Sequence, residues 1–195
     1  MKVASIVLAA GASRRMGSPK ALLDFGGERA LARVVRIARA TGADPVVVVL
    51  ATDTLPIVSA ALPDLPATLV ENPATGAGRT GSLLRGLAVA PAGPVFVHPV
   101  DHPLVRASTL DALVVGLGTH EVARPVHAGA RGHPILLSAS AANAARRLHP
   151  ATPLKELVGA LDAVDVEVDD PGVLENIDTP EAYAKALERW NGERF

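Results

Sequence analysis

Short runs of apolar residues alternate along this chain with longer segments in which apolar residues recur every three or four positions. The runs at 3–8, 45–50 and 94–98 contain no Asp, Glu, Lys or Arg, which predicts buried strands. The apolar spacing across 28–40 predicts a helix. By the same two patterns, further strands are expected at 67–70, 121–126, 133–137 and 163–168, and further helices at 53–62, 82–90, 106–117, 139–148, 153–161 and from residue 180.

This order of elements predicts an α/β fold with a mostly parallel sheet. Strands that alternate with helices require right-handed crossovers, which place helices on both faces of the sheet. Ligands of such open sheets bind outside the carboxyl ends of the strands. The loops after the first, third and fourth strands should therefore meet in one crevice. No linker is long enough to divide the chain, so we expect a single domain over residues 1–195.

Composition narrows the class of protein. The chain has 195 residues, of which 49% are hydrophobic and 20% charged, which is typical of a globular protein. A net charge of −1 argues against a nucleic-acid partner that is held by a general basic surface. The absence of cysteine excludes disulfides and thiolate nucleophiles. The first apolar run is too short to span a membrane, so we expect no membrane association and a cytoplasmic location.

The first strand opens into a loop of small and cationic residues. A turn at Ala9–Gly11 is followed by Arg14, Arg15 and Lys20. Small residues allow a ligand to approach the backbone, whose N–H groups can then face an anion. These features predict a polyphosphate site, and an ordinary solvated loop is the alternative. The Walker pattern is not met, because five residues rather than four separate Gly11 from Gly17, and Ser18 and Pro19 separate Gly17 from Lys20.

The stretch from Leu8 to Lys20 reads L-A-A-G-x-S-x-R-M-G-x-x-K. It resembles the signature of the MobA-like nucleotidyltransferases, enzymes that attach a nucleotide to molybdopterin, and later segments match in the expected order. The resemblance implies a three-layer sandwich with a Rossmann-like sheet of the nucleotide-diphospho-sugar transferase type. It also implies a nucleotide site with catalytic cations that compensate the triphosphate charge. The residues implied for this site are Leu8, Ala9, Ala10, Gly11, Ala12, Arg15 and Lys20.

Asp101 directly follows the fourth predicted strand, in a turn stiffened by Pro99 and Pro103. A carboxylate on a rigid turn is well placed to hold Mg²⁺, which prefers oxygen ligands and bridges to phosphates. The alternative is a carboxylate that makes a turn or caps the helix near Arg106. In the MobA-like family an Asp-x-Pro-Leu segment carries the metal-binding aspartate, and residues 101–104 match it. The resemblance therefore implies that Asp101 binds metal and nucleotide and is catalytic.

Asn176 and Asp178 precede the last predicted helix. Their two-residue spacing places both side chains on the same side of an extended backbone, where two oxygens could meet one cation. Asp178 or Thr179 could instead cap the helix that begins at Pro180. We expect Asn176 to complete the metal site with Asp101, and Asp178 to contribute to substrate binding. The cytidylyltransferase branch of the family tends to have Asp at the position of Asn176.

The segment from Asn72 to Ser82 contains Gly76, Gly78 and Gly81 in a formal dinucleotide-binding pattern. Several residues separate this pattern from the preceding strand, and the pattern does not belong to the first βα unit, as it usually does. A polar loop whose helix N-terminus faces a substrate is the better interpretation. The family resemblance implies a nucleotide-binding role for Asn72 and a substrate-binding role for Ser82.

Histidines surround Asp101 in the sequence. The spacing of His98 and His102 would let them bind a transition metal from a helix, but Pro99 and Pro103 disfavour a helix here and favour turn histidines that line the pocket. Gly132-His133-Pro134 is similar to the G-H-P element of the family, which is associated with the substrate side. We therefore expect His102 and His133 to contact substrate.

These observations favour nucleotidyl transfer. A phosphate oxygen of an acceptor would attack the α-phosphorus of an NTP, and pyrophosphate would leave, with Mg²⁺ as cofactor. The Leu-Ala-Ala-Gly sequence at residues 8–11 favours CTP over GTP by resemblance, with molybdopterin as the acceptor and a molybdoenzyme or cofactor-insertion protein as a possible partner. The alternatives are an NAD-dependent oxidoreductase that uses the glycines at 76–81 and a non-catalytic nucleotide-binding subunit.

Overall fold

The structure is a computed structural model, which describes residues 2–11, 16–74, 76 and 78–192. Its strands are β1 (Ala4–Ala9), β2 (Asp24–Phe25), β3 (Glu28–Arg29), β4 (Val46–Ala51), β5 (Thr68–Asn72), β6 (Val95–Pro99), β7 (Val122–His127), β8 (Ala130–Arg131), β9 (Ile135–Leu137) and β10 (Ala163–Glu167). Its α-helices are α1 (Ala30–Ala40), α2 (Leu55–Ala61), α3 (Gly78–Val89), α4 (Ala107–Leu117), α5 (Ala139–Ala145), α6 (Leu154–Ala160) and α7 (Pro180–Gly192). Short 3-10 turns lie at Lys20–Leu22 and Pro171–Val173.

The main sheet confirms the predicted α/β architecture. Its strand order is β10-β7-β9-β6-β1-β4-β5, with β8 paired to β7. The neighbours β6, β1, β4 and β5 are parallel, as are β7 and β10, whereas β9 runs antiparallel between β6 and β7. Because the four parallel strands all end at the same edge, the loops that follow β1, β5 and β6 converge there.

Helices cover both faces of the sheet and make the fold a three-layer sandwich. On one face the apolar sides of α1, α2 and α4 pack against β1, β4 and β6, and the strand residues Val7, Val48 and Phe96 face these helices. On the other face α3, α5 and α6 pack against alternate residues of the same strands, such as Ile6 and Val97. The alternation follows from the two-residue period of a strand, and it explains why these strands are apolar throughout.

Several helices do not begin where the pattern predicts, and the starts of α1 and α3 are the informative cases. The helix expected over 28–40 begins at Ala30, because Glu28 and Arg29 pair with β2 in a short hairpin. The helix expected over 82–90 begins at Gly78, so Ser82 lies inside α3 rather than at its start. The first turn of α3 carries no large apolar residue, and hydrophobic spacing therefore cannot detect it. The expectation of a single domain over residues 1–195 stays a prediction.

No helix within the described residues is both long enough and apolar enough to cross a membrane.

The loop that contains Asp101 is held by a close backbone contact at Gly172. A Cβ atom at Gly172 would lie 2.5 Å from the carbonyl oxygen of Leu104 and 2.9 Å from the amide nitrogen of Val105. Real Cβ atoms do not approach backbone atoms so closely, so only glycine allows this contact. The segment that carries Gly172 thereby supports the turn after β6.

Replacing Gly172 with Ala is expected to lower the free energy of unfolding by roughly 1–3 kcal/mol, because the added methyl group must push two backbone segments apart. Urea denaturation measures the change. Gly159→Ala is the matched control: this glycine lies in α6 with open space around its Cβ position, and Ala there should be neutral or stabilising. Equal stability of the two variants would contradict the close contact.

Candidate active site

The candidate site lies at the carboxyl edge of the sheet, where β1 and β6 end side by side. The amide of Val100 donates to the carbonyl of Leu8 with an N···O distance of 3.1 Å, which fixes the turn that carries Asp101 beside the end of β1. Lys20 opens the 3-10 turn after the first loop, and its Nζ atom lies 3.7 Å from Asp101 Oδ2. The sequence prediction that these two side chains share one cleft is confirmed.

The segment before α7 enters the same cleft. The amide of Ile177 donates to the carbonyl of Asp101 at 2.9 Å, so this backbone is tied directly to the turn after β6. The Asp178 carboxylate accepts a hydrogen bond from the Lys20 ammonium and forms an ion pair with it. Asn176 Nδ2 donates to Asp178 Oδ2 at 2.9 Å, which confirms that the two side chains share one side of the backbone.

The contacts at the starts of α4 and α7 decide which of the candidate residues cap these helices. The Asp170 carboxylate accepts from the amide of Arg106 at 2.8 Å and from the Thr109 hydroxyl at 2.6 Å, and so holds the start of α4, whose N-terminus has no side-chain cap among the described residues. Thr179 Oγ1 accepts from the amide of Ala182 at 3.2 Å in the first turn of α7. The suggestion that Asp101 caps the helix near Arg106 is therefore wrong, and its carboxylate is left to face the cleft.

The surroundings of Asp101 are cationic and only slightly exposed. The residue is 9% exposed, and no hydrogen-bond donor among the described residues reaches its Oδ1 atom. Besides Lys20, Arg79 Nη2 lies 3.9 Å from Asp101 Oδ2, and His102 Nε2 lies 3.9 Å from Oδ1. A carboxylate with an unsatisfied oxygen beside a second carboxylate is a donor set that suits a hard divalent cation. The residues therefore fit the metal that the family resemblance implies.

Three histidines line the region behind this carboxylate. Burial lowers the pKa of His98 to about 4 and that of His133 to about 4, and it lowers the pKa of His102 as well, so all three are neutral at pH 7. His98 Nε2 lies 3.1 Å from the carbonyl of His102, to which it donates, and the rings of His102 and His133 meet edge to face at 5.1 Å. Their neutrality suits a packing and positioning role.

The described residues contain no group of three or more His, Cys, Asp or Glu side chains arranged to hold a metal ion. A cation at Asp101 and Asp178 would therefore draw its other ligands from water, amide groups and substrate phosphates, which is the usual pattern for Mg²⁺. The hypothesis of a transition metal held by His98 and His102 gains no support from this arrangement, since His98 Nε2 donates a hydrogen bond to the backbone carbonyl of His102.

A cavity of about 680 Å³ opens next to Arg79, between the sheet and the helices α3 and α6. Its lining includes Leu8 and His133, two of the predicted site residues, and none of the described residues that line it carries a carboxylate. The cationic side chains in its lining are Arg79, Arg124, Arg131 and Lys155. Arg79 Nη1 lies 3.4 Å from His133 Nε2, so the cavity continues to the edge of the Asp101 cleft. This electropositive space suits an anionic substrate.

The predicted nucleotide residues fall into different environments. Ala9 and Ala10 are buried where β1 ends, and Gly11 is exposed. Asn72 is buried at the end of β5, where its Nδ2 donates to Ser82 Oγ at 3.1 Å and its Oδ1 accepts from the amide of Ala74. This pair ties β5 to α3, and neither residue lines the cavity. Ala12, Arg14 and Arg15 lie outside the described residues, so their predicted roles remain predictions.

Sequence reasoning missed the cationic residues of the cavity and the role of Asp170. Arg124, Arg131 and Lys155 belong to separate elements far along the chain from Arg79, and no local motif joins them. The contact of Asp170 with α4 gives no signal either, because that helix starts more than sixty residues earlier. Only Arg79 could have been found, since it stands between glycines at the start of a helix.

Comparison with known proteins agrees with this site. A family model described as the MobA-like NTP transferase domain matches residues 5–164. A probable molybdenum cofactor guanylyltransferase of Mycobacterium avium is 32% identical over 197 residues, which cover 96% of this chain and 95% of that protein. A Mycobacterium tuberculosis protein crystallised in complex with manganese is 26% identical, with a TM-score of 0.78 over 96% of this chain and 99% of the other.

The fold has a further counterpart in a nucleotidyl transferase of Methanothermobacter thermautotroptrophicus, with a TM-score of 0.83 at 22% identity over 98% of this chain and 99% of that one. The two proteins thus share the architecture of the sheet. The chain belongs to the MobA-like NTP transferase family. The resemblance drawn from the Leu8–Lys20 motif is confirmed.

Proposed function

We propose that this nucleotidyltransferase transfers GMP from GTP to molybdopterin and releases pyrophosphate. The observation that carries the proposal is the convergence of Lys20, Asp101 and Asp178 at the carboxyl edge of the sheet, beside a cavity lined by cations. The cleft offers charge compensation for a triphosphate, and the cavity offers space and positive charge for a phosphorylated acceptor.

The choice of GTP differs from the sequence expectation of CTP. The Mycobacterium avium relative, which matches nearly the whole chain, is named as a guanylyltransferase, and this supports guanine. The expectation of CTP depended on a single position, Ala10 in the Leu-Ala-Ala-Gly turn. Similarity over the whole chain carries more weight than one position, so we propose GTP as the nucleotide and molybdopterin as the acceptor.

In the proposed reaction an acceptor phosphate oxygen forms a bond to the α-phosphorus, and the bond from that phosphorus to the bridging oxygen breaks. The electron pair leaves with pyrophosphate. Lys20 holds the triphosphate by its charge, and the neutral His133 beside Arg79 orients the acceptor phosphate. The protein thus contributes positioning and electrostatics, which is what phosphoryl chemistry needs most.

We propose Mg²⁺ as the cofactor, held by Asp101 and Asp178. When bound, the ion neutralises charge on the reacting phosphates. Asp178 is a better second ligand than Asn176, because Asn176 is exposed and donates its amide proton to Asp178. Asn176 then orients the Asp178 carboxylate, and its own ligation remains a prediction. The manganese complex of the Mycobacterium tuberculosis relative supports a divalent cation in this family.

Nucleotide binding and transfer test the proposal separately. Thermal unfolding is measured with each of the four NTPs and Mg²⁺, and GTP is expected to raise the melting temperature most, since a ligand that binds only the folded state stabilises it. Pyrophosphate release is then measured with GTP, with and without molybdopterin. Greater stabilisation by CTP than by GTP would contradict the choice of nucleotide. Pyrophosphate release that does not depend on molybdopterin would contradict the choice of acceptor.

A further inference from the structure

Two arginines of the cavity converge on one aspartate at the sheet edge. Arg124 of β7 lies directly opposite Asp165 of β10 in the parallel register. Arg131 of β8 pairs with Val126, two residues beyond Arg124, so it lies on the same face of the sheet as Arg124. The strand pairing alone therefore brings both guanidinium groups to the carboxylate of Asp165.

The contacts are close and involve both edges of the carboxylate. Arg124 donates through Nε and Nη2 to Asp165 Oδ1 at 2.8 and 2.7 Å. Arg131 donates through Nε and Nη2 to Asp165 Oδ2 at 2.9 and 2.8 Å. Hydrogen bonds from Arg131 and Arg124 lower the pKa of Asp165, so it is ionised at neutral pH. Planar guanidinium forks held in this way have a fixed orientation.

This arrangement places more positive than negative charge at one point. The two guanidinium groups of Arg124 and Arg131 share the single carboxylate of Asp165. Arg131 is 62% exposed, and an ion pair at such exposure adds little to stability. Both arginines line the cavity that reaches the candidate active site, and none of the described residues in that lining carries a carboxylate. The surplus charge therefore faces the space assigned to the acceptor.

We propose that Arg124 and Arg131, held side by side by Asp165, bind an anionic group of the acceptor and select acceptors that carry negative charge at a second point besides the reacting phosphate. The inference rests on the proposed function, because it takes the cavity as the acceptor site. Arg79 and His133 then serve the reacting phosphate, and the arginine pair serves the second anionic group. Asp165 is a positioning residue that keeps two like charges together.

The test compares Arg124→Gln, Arg131→Gln and the wild type in GMP transfer to molybdopterin. Each substitution removes one guanidinium group and keeps a polar side chain of similar reach. The KM for molybdopterin is expected to rise about tenfold or more, which is the scale of one hydrogen bond to a charged group. The kcat and the KM for GTP should change less than threefold. An unchanged KM for molybdopterin would overturn the proposal.

Arg39→Gln is the matched control. Arg39 lies on α1, its side chain is 45% exposed, and it forms an ion pair with Asp44 at 2.8 Å without lining the cavity. It should behave as the wild type in every parameter. A rise in the KM for molybdopterin in this control equal to that in Arg131→Gln would show that general surface charge is responsible, and would also overturn the proposal.

A second arm separates this inference from the proposed function. If the wild type transfers no nucleotide to molybdopterin, the same proteins are titrated with inorganic phosphate in the presence of Mg²⁺ and a non-hydrolysable GTP analogue. Thermal unfolding reports binding. Phosphate should stabilise the wild type and the Arg39→Gln control with the same apparent Kd. For Arg124→Gln and Arg131→Gln the apparent Kd for phosphate should be at least fivefold higher. Equal phosphate binding in all four proteins would reject the arginine pair as an anion site.

Discussion

Replacing Asp101 with Asn is expected to lower the rate of GMP transfer by roughly 10²- to 10³-fold, the scale of removing one preorganised charged group from a reacting centre. The Asp101 carboxylate has a buried oxygen that no described donor reaches, and it lies beside Lys20 and Arg79. Asn has the same shape but no charge. It therefore removes the attraction for a divalent cation and leaves the turn after β6 in place.

Pyrophosphate release at saturating GTP measures this effect, and Mn²⁺ binding followed by electron paramagnetic resonance measures loss of the cation site. The wild-type melting temperature should be nearly retained, because the carbonyl of Asp101 that accepts from Ile177 belongs to the backbone. Asp162→Asn provides the control, since Asp162 is exposed and pairs with His120 at 2.9 Å. Activity of Asp101→Asn within a few-fold of this control would refute a metal role for Asp101.

Replacing Lys20 with Met is expected to change two measured quantities in opposite directions. Turnover with GTP should fall by roughly 10²-fold, because the triphosphate loses a preorganised cation. The affinity for Mn²⁺ in the absence of nucleotide should rise by about tenfold, because the Lys20 ammonium pairs with both Asp101 and Asp178. A divalent cation that binds these carboxylates must displace the ammonium, and Met does not compete with it.

Calorimetric titration with Mn²⁺ alone and pyrophosphate release with GTP and Mg²⁺ check the two halves. Lys185→Met is the control, since Lys185 is an exposed lysine on α7. It should leave both quantities unchanged. If Lys20→Met bound Mn²⁺ no better than the wild type, Lys20 and the cation would not share these carboxylates, and the assignment of Asp178 as a ligand would fail.

The strands and the family were accessible from the sequence because their signals are local. The apolar runs at 45–50 and 94–98 correspond to β4 and β6 within one residue at each end. The motif from Leu8 to Lys20 resembles the signature of the MobA-like family, and the model of that family matches residues 5–164. Both signals lie within short windows, where side-chain periodicity and motif spacing are set by the backbone itself.

Local signals were weaker where an element is very short or where two distant segments meet. The hairpin of β2 and β3 is of the first kind, because two residues per strand are too few for a period to be visible. The second carboxylate of the cleft is of the other kind. Sequence spacing favoured Asn176 as the partner of Asp101, whereas the structure gives the contact with Lys20 to Asp178. Lys20 lies more than 150 positions earlier in the chain. Whether Asn176 or Asp178 reaches it depends on how the last helix docks, which sequence spacing cannot determine.

By itself, the sequence determined the α/β architecture and the position of the crevice at the carboxyl edge, and it predicted that Lys20 and Asp101 share that crevice, because parallel strands bring their following loops to one edge regardless of detail. Only the tertiary structure decided that Asp170 holds the start of α4 and that Arg124 and Arg131 meet at Asp165. These contacts join residues that share no motif, and they exist only because β7, β8 and β10 are neighbours in the folded sheet.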